Sequence, residues 1–119
     1  MKNHHSVGKH GEELAITYLE SLNYQIIEKN FRCKIGEIDL IAKHEEYLVF
    51  IEVKYRRSLT YGYPREAVHK NKQKVISKVA LYYLQKHKLF DISCRFDVVE
   101  IIEKNEDLQI DVIPNAFMS

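Results

Sequence analysis

Three charged residues inside two apolar stretches offer the clearest chemistry in this chain. Asp39 lies within the stretch GEIDLIA, and Glu52 and Lys54 lie within FIEVKY. A carboxylate inside an apolar strand needs a partner or a metal, because removing a bare charge from water is costly. Two carboxylates and an ammonium on neighbouring strands therefore predict a site, most simply one that holds a divalent cation.

The chemistry of such a site follows from its oxygen ligands. Strand side chains alternate, so Glu52 and Lys54 share a face. Carboxylates on a rigid sheet suit Mg²⁺ or Mn²⁺, and the backbone carbonyl of Val53 offers another ligand beside Asp39 and Glu52. A metal held there polarises a phosphodiester and activates a water, while Lys54 orients that water or neutralises charge. Glu-x-Lys alone is more typical of a cross-strand ion pair on a solvated face.

The elements that position these residues are read from hydrophobic periodicity and turn signals. Helices are predicted at residues 8–22 and 65–87, and strands at 24–31, 37–42, 47–55, 95–103 and 108–113. A polar turn at 43–46 joins the second and third strands as a hairpin, which brings Asp39 beside Glu52. A loop at 58–64 and the long helix form a crossover, so the third and fourth strands should be parallel neighbours. The prediction is one α/β domain over residues 1–119, a sandwich of order αβββαββ with a mixed sheet.

Charge is distributed unevenly along the chain, although the net charge is only +1. Residues 54–88 contain ten Lys or Arg and one acid, whereas the flanking segments are net acidic. A basic segment that begins at the predicted site is typical of a surface that follows a phosphate backbone. The alternative is a solvated basic helix whose charges face the acids of the last third.

Several classes of protein are disfavoured by what the sequence lacks. No apolar run is long enough to span a bilayer, and residues 1–13 do not resemble a secretory signal, so a cytoplasmic location without a membrane partner is expected. There is no Gly-rich phosphate loop or dinucleotide fingerprint, so no nucleotide cofactor is expected.

A set of short motifs resembles the bacterial YraN family. Over residues 8–117 they are Gly11-Glu12, Asn30-Phe31-Arg32-Cys33, Gly36-Glu37-Ile38-Asp39-Leu40-Ile41, Val49-Phe50-Ile51-Glu52-Val53-Lys54-Tyr55-Arg56, Lys72-Gln73, Arg95-Phe96-Asp97-Val98 and Asn115-Ala116-Phe117. That family belongs to the restriction-endonuclease-like superfamily with the PD-(D/E)XK motif, and its core is similar to archaeal Holliday-junction resolvases.

The resemblance implies a restriction-endonuclease-like α/β/α sandwich and Mg²⁺-dependent hydrolysis of DNA, with branched DNA and a homodimer suggested by the resolvases. It implies that Asp39 is the acid of the PD motif, Glu52 the second acid and Lys54 the motif lysine. Glu12 would be the additional acid of resolvase-like members, and Gln73 the polar residue that faces the site from the long helix. Ile38 stands where the motif name has proline.

Several of these residues also have plainer interpretations. Glu12 is equally suited to the first turn of a helix, where it meets the positive end of the dipole. Gln73 contacts phosphate or lies on the helix surface. The residues predicted to bind nucleic acid are Arg56, Arg57, Lys70, Lys72, Lys74 and Lys78.

The function predicted from the sequence is a metal-dependent nuclease. A non-catalytic nucleic-acid-binding module that uses the basic 54–88 segment is the alternative, and a protein-interaction domain with complementary charged faces is a third. The complete acid–acid–lysine set favours the first.

Overall fold

A computed structural model describes the backbone of residues 4–57, 70–104 and 107–116, with side chains from His10 onward except those of Arg57 and Lys70. Within these ranges two helices and five strands follow one another along the chain. They are α1 (His4–Ser21), β1 (Gln25–Arg32), β2 (Glu37–His44), β3 (Tyr47–Arg57), α2 (Lys70–Lys86), β4 (Ser93–Lys104) and β5 (Asp107–Ile113).

The strands form one mixed sheet in the order β1-β2-β3-β4-β5. Each neighbouring pair is antiparallel except β3 and β4, which run parallel from Tyr47↔Ser93 to Arg57↔Glu103. This confirms that the third and fourth strands are parallel neighbours. The connection that contains α2 returns the chain to the end of the sheet at which β3 began. The α/β class with a mixed sheet is confirmed with it.

Two apolar clusters, one on each face of the sheet, hold the helices in place. On the α2 face, Ile76, Val79, Ala80 and Tyr83 pack on Phe50 and its neighbours, and their spacing is that of one helical stripe. On the α1 face, buried Ala15 and Leu19 pack on alternate residues of β2, β3 and β4. The result is a three-layer α/β/α arrangement. Neither described helix is long and apolar enough to cross a membrane.

The boundaries differ from the prediction where polar residues continue an element. β2 extends through Lys43 and His44, which pair with Leu48 and Tyr47, so the turn contains only Glu45 and Glu46. Ladder hydrogen bonds use the backbone, so side-chain polarity does not end a strand. Likewise α1 begins at His4 rather than at residue 8. The predicted loop at 58–64 and the first five residues of the predicted long helix lie outside the described residues.

Candidate active site

Asp39 lies where the side-chain alternation of β2 breaks. Ile38 packs in the cluster on the α2 face and Leu40 in the cluster on the α1 face, whereas residues two apart in a regular strand share a face. The β2–β3 ladder extends only as far as Leu40↔Ile51. Beyond it, the backbone N–H of Val53 donates a hydrogen bond of 2.8 Å to Oδ2 of Asp39. The Asp39 carboxylate therefore replaces the ladder partner of β3 and is held against that strand.

Glu52 reaches the same place from β3. Leu48 and Phe50 belong to the cluster on the α2 face, so Glu52 and Lys54 continue that face by alternation. Glu52 is buried, with 6% of its surface exposed. Its Oε2 forms an ion pair with Nζ of Lys72, which enters from α2. A buried carboxylate is thus paired with a cation from the opposing layer.

The electrostatics of the two acids are those of carboxylates crowded together. Burial and the charge of Glu52 raise the pKa of Asp39 to about 8, even though the Val53 N–H favours the ionised form. A hydrogen bond shared with Glu52 and the charge of Glu12 also contribute to this raised pKa. At neutral pH Asp39 and Glu52 therefore retain one proton between them. This proton, together with the ammonium of Lys72, offsets their negative charge.

Two lysines flank Glu52. Burial and the charge of Arg56 lower the pKa of Lys54, and the charges of Glu52 and Glu100 act against that effect. Burial also acts to lower the pKa of Lys72, but its hydrogen bond to Glu52 and the charge of that acid raise it overall. Lys54 is therefore the lysine with the weakened hold on its proton, as expected of a group that acts on a water.

The two remaining predicted site residues lie around this centre. Glu12, on α1, accepts a 3.1 Å hydrogen bond from Nδ2 of Asn30, and its charge raises the pKa of Asp39. Gln73 follows Lys72 on α2 and is partly buried. The structure thus brings Asp39, Glu52 and Lys54 together, with Glu12 at the margin.

The residues predicted to bind nucleic acid divide into three groups. Arg56, Lys74 and Lys78 are exposed, whereas the side chains of Arg57 and Lys70 lie outside the described residues. Lys72 was predicted only as a phosphate contact, and the structure places it on Glu52. The sequence alone does not predict that residue 72 contacts Glu52, because residues 72 and 73 lie in the same helical turn.

Glu100 was missed by the sequence interpretation. It is 2% exposed and stands in register with Lys54, and its charge raises the pKa of that lysine. The signal that could have found it is the one that singled out Glu52, a carboxylate within an apolar strand. Asp97, in contrast, is paired with Arg95 of the same strand, with 2.9 Å between Nη2 and Oδ2.

The two acids offer oxygen donors of the kind that Mg²⁺ prefers. The described residues contain no cluster of three or more His, Cys, Asp or Glu arranged around one point. Mg²⁺ does not require one, since it binds through one or two carboxylates and fills its remaining positions with water and phosphate oxygens. Asp39 and Glu52 are two carboxylates held close to each other. The N–H and C=O of a strand residue point to the same edge, so the Val53 carbonyl faces the Asp39 side as well.

Comparison with known sequences gives a consistent picture of relatedness. A sequence model of the Uncharacterised protein family UPF0102 matches residues 11–101. A UPF0102 protein of Caldicellulosiruptor saccharolyticus is 48% identical over 117 residues, covering 97% of this chain and 99% of the relative. A UPF0102 protein of Geobacter metallireducens is 50% identical over 112 residues, covering 94% and 92%. One of Clostridium acetobutylicum is 44% identical over 112 residues, covering 92% of each chain. The matched segment of the family includes every residue of the candidate site.

Proposed function

This chain belongs to the protein family UPF0102, the YraN family that its motifs resemble, and we propose that it is a metal-dependent nuclease that hydrolyses phosphodiester bonds in DNA. The observation that carries the proposal is the pairing of Asp39 with Glu52. Two carboxylates are held side by side at a break in the sheet, where a proton or a lysine supplies the positive charge that they require. Such an arrangement costs stability and is typical of sites that bind a cation.

In the proposed mechanism Asp39 and Glu52, with the Val53 carbonyl, hold Mg²⁺ or Mn²⁺. When bound, the metal supplies Lewis acidity toward a phosphodiester oxygen and a more acidic water. Lys54 orients the attacking water or neutralises the charge that builds on the phosphate. Glu12 and Gln73 are assigned to the margin of the site, where they help to place water or substrate.

The charge distribution supports DNA as the substrate. Lys74, Lys78 and Arg56 are exposed, and the basic segment 54–88 that includes them begins at Lys54. Cations spaced along a surface are suited to the phosphates of a duplex. The preference for branched DNA, the homodimer and the cytoplasmic location remain predictions from the resemblance and the sequence.

Cleavage by matched variants tests the proposal. The purified chain is incubated with labelled branched and linear duplexes in Mg²⁺, Mn²⁺ or EDTA, beside Asp39→Asn, Glu52→Gln and the control Glu46→Gln. Glu46 is an exposed acid of the β2–β3 turn, so its variant removes the same charge away from the site. We expect metal-dependent cleavage that falls at least about a hundredfold in the two site variants and is retained in the control. Equal cleavage by all four proteins would identify a contaminating nuclease and reject the proposal.

A non-catalytic nucleic-acid-binding module is the second candidate, and the Lys72–Glu52 ion pair favours it, because a lysine already neutralises one of the two acids. This alternative predicts that an electrophoretic shift of DNA needs no metal and is unchanged by Glu52→Gln, with no cleavage under any condition. The nuclease proposal predicts cleavage by the wild type and a salt-sensitive DNA shift that Asp39→Asn retains.

A further inference from the structure

Lys72 occupies a position that the proposed function leaves unexplained. Its ammonium contacts Oε2 of Glu52, and the charges of Asp39 and Glu37 also raise the pKa of Lys72. A cation thus already stands among the acids that the proposed metal would use. The two partners differ in exposure, since the Glu52 side chain is 7% exposed and that of Lys72 is 54% exposed. Glu52 is held by the sheet, whereas Lys72 extends from a helix and is open to water.

From this contact we infer that Lys72 is a gate that couples metal binding to DNA binding, an inference that rests on the proposed function. A divalent ion at Asp39 and Glu52 and an ammonium on Glu52 repel each other over a few ångströms. Metal entry therefore requires Lys72 to leave the acid. A DNA phosphate beside the metal is the alternative anionic partner for the displaced ammonium.

The consequence is reciprocal coupling. Without DNA, Lys72 competes with the metal for Glu52 and lowers the affinity of the site. With DNA, a phosphate takes the ammonium and the metal binds more tightly, and by linkage the metal strengthens DNA binding by the same factor. The site would then be fully loaded only on its substrate, which limits idle binding of metal.

Metal affinity, measured apart from cleavage, tests this gate. Mn²⁺ binding to the full chain is measured by calorimetry with and without a duplex carrying phosphorothioate linkages, which resist hydrolysis, after subtraction of binding to the duplex alone. The variants are Lys72→Met, the charge-retaining Lys72→Arg, and Lys43→Met, which removes one exposed lysine from the far end of β2. Asp39→Asn reports the loss of the metal site itself.

We expect the duplex to raise the Mn²⁺ affinity of the wild type about tenfold, a coupling of ordinary size. Lys72→Met should bind Mn²⁺ about tenfold more tightly than the wild type without DNA and gain little from the duplex. Lys72→Arg and Lys43→Met should behave as the wild type. If Lys72→Met binds Mn²⁺ as the wild type does, with the same gain from DNA, the gate is rejected while the metal site stands. If none of the proteins binds Mn²⁺, the proposed function is rejected together with the gate.

Discussion

Two aspartates of the sheet, the fully buried Asp97 and the partly buried Asp39, have opposite surroundings. Asp97 is fully buried, and donors serve both of its oxygens. Oδ2 accepts a hydrogen bond of 2.7 Å from the Tyr24 hydroxyl and one of 2.9 Å from Nη2 of Arg95. Oδ1 accepts a hydrogen bond of 3.0 Å from Nε of Arg95 and one of 2.9 Å from the N–H of Asn115. The positive charge of Arg95 and the hydrogen bonds from Tyr24 and Asn115 satisfy this carboxylate within the structure.

Asp39 accepts a hydrogen bond from one backbone N–H, and the charge with the largest effect on its pKa is that of another carboxylate, Glu52. The protein thus satisfies one buried acid completely and leaves the other crowded. The first arrangement joins β4 to Tyr24 and to the chain near Asn115. The second is unfavourable in the isolated chain and becomes favourable once a cation arrives. The contrast agrees with a structural role for Asp97 and with the metal-binding role proposed for Asp39.

The largest effect expected from this contrast is the loss of stability in Asp97→Asn. The amide removes the charge opposite Arg95 and turns an N–H toward other donors, which leaves a guanidinium only 11% exposed without its counter-ion. Breaking a buried pair in this way costs about 3–5 kcal/mol, a large share of the stability of a small domain. Urea unfolding at pH 7 measures the loss.

Asp39→Asn is the matched control, because it makes the same chemical change at the crowded acid. It relieves the repulsion by Glu52, and the amide still accepts the Val53 N–H through its oxygen. We expect the unfolding free energy without metal to stay equal to that of the wild type or to rise. A loss at Asp39 as large as the loss at Asp97 would show that both acids are structural, and the comparison would fail.

The dependence of stability on pH sharpens the comparison. The pKa of Asp39 rises from 3.8 to about 8 on folding, so the folded chain holds this proton more tightly than the unfolded chain between these values. The associated stability is fully present below pH 4 and is lost as the pH approaches 8. The unfolding free energy of the wild type minus that of Asp39→Asn should therefore fall from pH 4 to 8 and level off above.

Urea unfolding across this range in EDTA measures the slope, and saturating Mg²⁺ should flatten it, because the metal favours the ionised acids. Glu13→Gln, an exposed neighbour of Glu12, serves as the control and should follow the wild type. A difference between wild type and Asp39→Asn that does not change with pH would contradict the crowding of Asp39 and Glu52.

Most of the fold could be predicted from the sequence because local patterns determine it. The apolar runs of β2 and β3, the short polar turn and the length of the crossover lead to the hairpin and the parallel β3–β4 pair. The hairpin alone brings the strands of Asp39 and Glu52 together. The break at Asp39 could not be predicted, because Ile38 and Leu40 are both apolar and suit either face.

The contact between Lys72 of α2 and Glu52 of β3 could not be predicted from the sequence either. Lys72 contacts Glu52 because of how α2 sits over the sheet, and the neighbouring Gln73 suits that position equally well in one dimension. Glu100 becomes part of the site only through the register of β3 with β4, which sets it beside Lys54. A register is a property of two strands together, and neither strand encodes it alone.

The smallest expected effect is that of Tyr24→Phe, which removes one of the donors to Asp97. Burial, followed by the hydrogen bond to Asp97, raises the pKa of the Tyr24 phenol, so the hydroxyl stays protonated and donating throughout the neutral range. Its loss leaves the Arg95 and Asn115 bonds in place, and the ring still stacks on His44 with centroids 4.0 Å apart. We expect a cost of about 1–2 kcal/mol in urea unfolding.

Tyr83→Phe is the matched control on the other face of the sheet. Tyr83 is also buried, but in the described part of the chain its hydroxyl makes no hydrogen bond. Its variant should lose less stability than Tyr24→Phe. In the Asp97→Asn background the loss of stability caused by Tyr24→Phe should be smaller, because the charged acceptor of the Tyr24 hydroxyl has been removed. A cost that stays the same in both backgrounds would mean that Tyr24 stabilises the fold by packing alone, and that Asp97 is not the centre of a connected polar cluster.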